Sequence, residues 1–293
     1  MKYFLGIGLN KVSAVAYQGW TGPLDKCVSD IANIEKMLCP IDGNRGEKIY
    51  PITKYLGCGF VTYDFITNEK ATAKYVLAQL SALAKIAVKG DEVVVYYSGH
   101  GDSFVYKFTP DDTNKEEYTG QDQAWCLYDG ELPDDILQTY ICLFQEGVNV
   151  TFASDSCHSE TMYRSFPYKT EDPINRALPY SISSNTAFRT VQRQVRGELA
   201  KFMPSDFAVP KCNLTWAAGC ADGGTSSETA DGGAFTVALI KTLVNSNAKI
   251  SRNGLQAPLR AETYRTQVPF VTNETPKLNR LQRFTFLRRQ LFM

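Results

Sequence analysis

The chain has 293 residues, of which 44% are hydrophobic and 21% charged, with 31 basic and 31 acidic side chains. That size and composition suit a soluble globule with a sizeable core, and the even charge argues against nucleic acid or an acidic membrane surface as the main partner. No run approaches the roughly 18 apolar residues of a spanning helix, so no transmembrane segment is expected. The opening stretch MKYFLGIGL reads as a buried strand over Tyr3–Leu9. Ala14-Val15-Ala16 imitates a cleavage site, but the apolar stretch before it is short and broken by Asn10 and Lys11, so a cytoplasmic protein is expected. Cys27, Ile31, Ile34 and Leu38 are spaced four, three and four, as are Val76, Leu80, Leu83 and Ala87; each set marks one helical face.

Further along, EVVVYYS at Glu92–Ser98 and VNVTFA at Val148–Ala153 are short β-branched and aromatic runs that end in polar or glycine turns, as buried parallel strands do. Thr109–Gly120 is acidic and poor in apolar residues, so it reads as a surface loop. Asp134-Asp135 opens the helix pattern ILQTYI with acids where the dipole favours them. Residues 160–211 hold five prolines and scattered basic residues, among them Arg176, Arg189, Arg193 and Lys201, and read as a long irregular connection. A strand at Leu214–Ala218 and a helix at Ala234–Leu243 follow. Strands alternating with helices predict an α/β fold, a mostly parallel central sheet with helices on both faces.

Eight cysteines in a chain this long, several inside apolar runs and none in a CxxC pair, do not form a disulfide framework. There are only two histidines, His100 and His158, so imidazole chemistry must use one of them. Ligands of open parallel sheets bind beyond the carboxyl ends of the strands. Glu92–Ser98 runs into Gly99-His100-Gly101, and Val148–Ala153 runs into Ser154-Asp155-Ser156-Cys157-His158-Ser159, so both segments bring a reactive side chain to one edge. An imidazole within reach of a thiol makes it a nucleophile, and the N–H groups of Gly101 and Cys157 can hold an oxyanion. Taken singly, a cysteine at a strand end is more often a small buried residue and GHG more often a turn; the two together favour chemistry. The pair Gly6-x-Gly8 lacks the third glycine of a dinucleotide site.

The segments GDEVVVYYSGHG and SDSCHS, with GIGLN, LDKCVSDIANIEKML, NEKATAKYVLAQL and TWAAGCADGGTSSE, closely resemble the metacaspases and bacterial caspase-like cysteine proteases, over roughly residues 1–245. The resemblance implies a caspase–hemoglobinase fold in a single domain. Residues 1–159 would form a large-subunit-like half, 160–211 the linker and 212–293 a small-subunit-like half. It implies His100 as base and Cys157 as nucleophile of a cysteine endopeptidase cutting protein or peptide substrates after Arg or Lys. Cys27, Asp30, Asp155 and Ser156 match the family positions of the substrate pocket, whose carboxylates would pair with a basic side chain. Asp122, Asp134 and Asp135 match three calcium positions. The fourth falls on Arg164, a cation that disfavours calcium, and Glu160 stands where glycine is usual after the nucleophile motif. No cofactor is therefore expected to be required. A protease of this preference would find cleavable bonds in its own 160–211 segment, expected near Arg189–Lys201. Two alternatives stay open: a same-clan protease with another pocket preference, and a silent caspase-like binding module.

Overall fold

The computed structural model describes residues 1–39, 59–104, 122–156, 175–200, 210–220, 226–246, 254–263 and 269–274. In chain order these form β1 (Lys2–Gly8), α1 (Cys27–Leu38), β2 (Val61–Thr67), α2 (Ala73–Ile86), β3 (Glu92–Ser98), β4 (Gly101–Phe104), β5 (Asp122–Leu127), β6 (Gly130–Pro133), α3 (Asp134–Ile141) and β7 (Asn149–Asp155). There follow α4 (Tyr180–Ser183), α5 (Thr186–Ala200), β8 (Asn213–Ala218), β9 (Glu228–Thr229), β10 (Gly232–Gly233), α6 (Ala234–Asn245), α7 (Gln256–Thr263) and β11 (Phe270–Glu274).

Six strands make the central sheet in the order β11-β8-β7-β3-β1-β2. All neighbours are parallel except β11, which runs antiparallel to β8 at the edge. The alternation of side chains along each strand sorts the core into two layers. Leu5, Ile7, Val93, Val95, Val150, Phe152 and Trp216 face α2 and α3, where Val76, Leu80, Leu83 and Ile136 are buried. Phe4, Tyr96, Ala153 and Ala217 face α1, α6 and α7, meeting Ile31, Ile34, Phe235 and Leu259. Each fully buried aliphatic side chain of this kind contributes about 1.5–3 kcal/mol. Gly8 lets α1 lie against β1, since a Cβ there would press on the Cys27 carbonyl and on Ile31.

The register brings the functional ends together. Gly8 pairs with Ser98 and Ser98 with Asp155, so β1, β3 and β7 end at one sheet edge. A small antiparallel sheet, β4-β5-β6, branches off directly after His100. The segment expected to be irregular instead holds α5, a 15-residue helix. Its buried face carries Phe188, Gln192 and Leu199, and the polar Gln192 at that face hides the helical period in the sequence.

Candidate active site

Tight packing fixes the turn after β3. A Cβ on Gly99 would collide with the Tyr97 hydroxyl, which donates to the carbonyls of His100 (2.7 Å) and Cys126 (3.2 Å). The His100 ring lies 4.7 Å from Trp20, and its Nε2 is 3.3 Å from the Gly22 carbonyl. Gly22 has φ +56° and sits so close to both rings that a side chain would be strained and crowded there. Burial pushes the imidazole down to about 4, against the upward pull of the Arg176, Gly22 and Ala177 carbonyls. The ring is therefore neutral at pH 7. Donation from Nε2 to Gly22 leaves the lone pair on Nδ1, which is buried and has no partner among the described residues.

Beside it lies an acidic pocket that is filled by the chain itself. Arg176 is fully buried. Its Nη2 donates to Asp30 Oδ2 (2.7 Å) and Glu228 Oε1 (3.2 Å). Its Nη1 donates to Ser98 Oγ (2.8 Å) and the Asp155 carbonyl (3.1 Å), and it lies 3.2 Å from Asp155 Oδ1. Each carboxylate also has donors of its own. Asp155 accepts from Ser226 Oγ (2.6 Å) and from the Thr236 N–H (2.9 Å) and hydroxyl (2.6 Å). Asp30 accepts from Ser98 Oγ (2.9 Å) and the Gly233 N–H (3.0 Å). Glu228 accepts from the N–H groups of Asp25 (3.1 Å) and Lys26 (3.0 Å). A Cβ on Gly233 would overlap both Asp155 Oδ2 and the guanidinium, so only glycine leaves room for an occupant.

Burial raises the Asp30 carboxyl, and the neighbouring guanidinium pulls it back down. For Arg176 itself, desolvation would lower the pKa, but Asp155, Cys27 and Asp30 outweigh it and hold the group charged. The Cys27 thiol is raised by burial and borders the pocket, 3.7 Å from Glu228 Oε1. Ser156 is buried too, but it bonds Ser154 Oγ (2.8 Å) and makes none of the guanidinium contacts described above.

The main chain around Arg176 is held on both sides. Its N–H donates to the Ser226 carbonyl (3.0 Å), and its own carbonyl accepts from the Gly101 N–H (3.0 Å). Leu178 N–H returns to the Gly101 carbonyl (3.0 Å). Residues 175–178 thus run extended between β4 and the strand-like stretch at 226–227, with bridges Gly101–Ala177 and Asn175–Ser227. Peptides bind enzymes and receptors in this way when they add a strand to an exposed edge.

Of the residues the sequence marks, His100, Gly101, Asp30, Asp155 and Cys27 come together here. Cys157 and His158 lie outside the described residues, as do Glu160 and Arg164; the described chain reaches Ser156. Arg176, Glu228, Ser98 and Ser226 are pocket residues that sequence reading did not single out. Only the SSE ahead of Gly232-Gly233, inside a motif already noted, hinted at Glu228.

The calcium positions matched by the resemblance lie on two elements. Asp122 starts β5, while Asp134 and Asp135 start α3. Asp134 Oδ1 accepts from the Asp135 N–H (2.8 Å), and Asp135 pairs with Arg196 (3.1 Å). Among the described residues, no group of three or more His, Cys, Asp or Glu side chains is placed to hold a metal. The six described cysteines are free, and no described helix is long and apolar enough to cross a membrane.

Residues 10–165 match the family model described as metacaspase, peptidase C14 domain. Metacaspase-7 of Arabidopsis thaliana is 34% identical over 164 residues, covering 54% of this chain and 34% of the relative. Metacaspase-1A of Neurospora crassa is 26% identical over 213 residues, covering 70% and 42%. The chain thus spans about a third to two fifths of the length of these relatives. Among solved structures, a protein from Geobacter sulfurreducens superposes with a TM-score of 0.71 at 27% identity, covering 95% of each chain. Caspase-1 from Spodoptera frugiperda superposes at 0.50 and 11% identity, covering 92% and 85%, a likeness of fold alone. The central sheet flanked by helices agrees with the caspase–hemoglobinase fold expected from the sequence.

Proposed function

The chain belongs to the metacaspase family of peptidase C14 domains, and from that membership we propose that it is a cysteine endopeptidase that cuts protein or peptide chains after Arg or Lys. The observation that carries the preference is the seating of the Arg176 guanidinium among Asp30, Asp155 and Glu228, three carboxylates held by donors of their own. A pocket that accepts one guanidinium in this manner pairs with basic side chains and repels acidic ones.

In the reaction, His100 Nδ1 takes the proton of the Cys157 thiol, and the thiolate adds to the carbonyl carbon. The Gly101 N–H, which donates to a peptide carbonyl in this structure, stabilises the oxyanion together with that of Cys157. The tetrahedral intermediate collapses with loss of the amine, to which His100 returns the proton. Water then opens the thioester. Calcium is not part of this scheme. The pairing of Asp135 with Arg196 sets a cation against one of the expected ligands, so chelation should leave the rate within about twofold. The free cysteines among the described residues and the even charge support a reducing, cytoplasmic setting without nucleic-acid or membrane partners.

The test is hydrolysis of Arg, Lys, Asp and Leu peptide amides by the chain and by its Cys157→Ala and Asp30→Asn variants. Arg and Lys substrates should be cut and the others spared. Cys157→Ala should lose three orders of magnitude or more, roughly the scale for a catalytic unit. Asp30→Asn should lower kcat/KM for Arg by about two orders of magnitude, the scale of one unpaired buried charge. Hydrolysis unaffected by Cys157→Ala would overturn the reading. Hydrolysis of the Asp or Leu amides instead would move the preference elsewhere, and no turnover of any peptide would leave a binding module.

A further inference from the structure

We propose that Trp20 is a positioning residue for His100: its indole fixes the rotation of the imidazole, and with it the nitrogen left to take the proton. The proposal rests on the cysteine-peptidase reading above.

A histidine that acts as a base must be held in one tautomer and one orientation, and a carboxylate on its far nitrogen is the usual means. In this site the far nitrogen, Nε2, faces the Gly22 carbonyl at 3.3 Å, a neutral acceptor at the long end of the hydrogen-bond range. One such bond leaves the ring free to rotate about its last torsion, whose wells are broad. Trp20 removes that freedom. The two rings lie 4.7 Å apart at 57°, so the imidazole cannot turn over without driving an edge into the indole. A Cβ on Gly22 would come within 3.0 Å of Trp20 and 3.1 Å of His100, so carbonyl residue, indole and imidazole are packed at one point.

The indole is itself held in place. Tyr17 N–H donates to the Ser13 carbonyl (3.1 Å), Gly19 N–H to Ala14 (2.7 Å) and Trp20 N–H to Tyr17 (3.0 Å). Gln18 adopts φ +54°, a conformation that costs a non-glycine residue energy and is kept where the surroundings impose it. Tyr17 is fully buried, and its hydroxyl donates to the Leu127 carbonyl (2.8 Å). Its ring lies 6.0 Å from Trp20 and 5.5 Å from Phe188 of α5. A row of rings thus runs from α5 to the imidazole. Trp20 is only half-buried, so the fold gains less from it than from Tyr17, and contact with His100 is what its position secures.

The contact matters most when the ring is charged. Burial and the Arg176 guanidinium both oppose protonation of His100, yet the ring must carry a proton from the thiol to the leaving amine. An indole within about 6 Å of a cation attracts it. Trp20 therefore favours the imidazolium of the transition state over the neutral ring of the resting site. Its loss should fall on kcat and spare KM.

The test combines hydrolysis of an Arg peptide amide with 15N NMR of histidine-labelled protein, for the wild type, Trp20→Leu and Trp20→Phe. The chain has only two histidines, and the pair of imidazole nitrogens missing from His100→Gln belongs to His100. At pH 7 the wild type and Trp20→Phe should show Nε2 protonated and Nδ1 bare. Trp20→Leu should show both nitrogens averaged between the tautomers. Its kcat should fall about ten- to thirtyfold, the scale of one desolvated cation–π contact, with KM within about twofold. Trp20→Phe, which keeps an aromatic face, should recover kcat to within about threefold of the wild type. A folded Trp20→Leu with the nitrogens of the wild type shows a residue that serves stability alone and overturns the proposal. So does a Trp20→Leu protein with undiminished kcat, or a wild type whose His100 nitrogens are already averaged. Each of these leaves the peptidase reading standing. Absence of hydrolysis in the wild type and every variant overturns the peptidase reading and this proposal with it.

Discussion

The titration of His100 links the site to the stability of the fold. Its imidazole sits at about 4 in the folded chain because it is buried, against an ordinary value near 6.5. Between those values the unfolded chain binds a proton that the folded chain refuses. The stability this group contributes is therefore complete above pH 6.5 and is lost as the pH falls toward 4, at about 1.4 kcal/mol per pH unit or about 3 kcal/mol in all. Urea unfolding of Cys157→Ala with and without His100→Gln, at pH 7, 5.5 and 4.5, should show the steeper acid loss only where His100 is present. Equal slopes would mean the ring is solvated. His100 was legible in the sequence because so few histidines exist and because a glycine flanks it on each side. Arg176 was not. Its partners Asp30 and Glu228 stand 146 and 52 residues away, and nothing local separates it from the other basic residues of its segment.

At the scale of elements, β1, β3, β7, α1 and α2 were legible because their apolar residues repeat at the periods that burial imposes. The α5 helix was not, because it anchors itself through polar groups. Gln192 Oε1 accepts from the Glu131 N–H (2.9 Å), and Arg189 bridges Asp102 and Glu131, whose side chains are almost fully buried. Burial raises the Glu131 carboxyl, and Asp102 raises it further. Since Asp102 stands on β4 just beyond His100 and Gly101, α5 braces the strand that leaves the site. Arg189→Met would leave two buried carboxylates facing each other. It should cost about 3–5 kcal/mol, measured as a lower urea midpoint of the Cys157→Ala protein at unchanged slope. A loss below about 1 kcal/mol would show that water reaches the cluster. The edge strand β2 also escaped sequence reading, since most of its residues are only partly buried, unlike those of the central strands.

For the whole molecule, the 160–211 connection joins two halves of one sheet. A cut within it would leave β1, β2, β3 and β7 on one fragment and β8 and β11 on the other. The β7–β8 ladder joins Asn149–Ser154 to Asn213–Ala218, with Phe152 and Trp216 stacked across it at 5.5 Å. The two pieces should therefore elute as one particle in gel filtration and part only in denaturant. Separation in plain buffer would mean that the ladder alone carries too little burial.

The bond between the Gly101 N–H and the Arg176 carbonyl also gives the site a local clock. That amide hydrogen should exchange with deuterium only when residues 175–178 lift away from β4, so its exchange rate would time the opening of this stretch without unfolding the sheet.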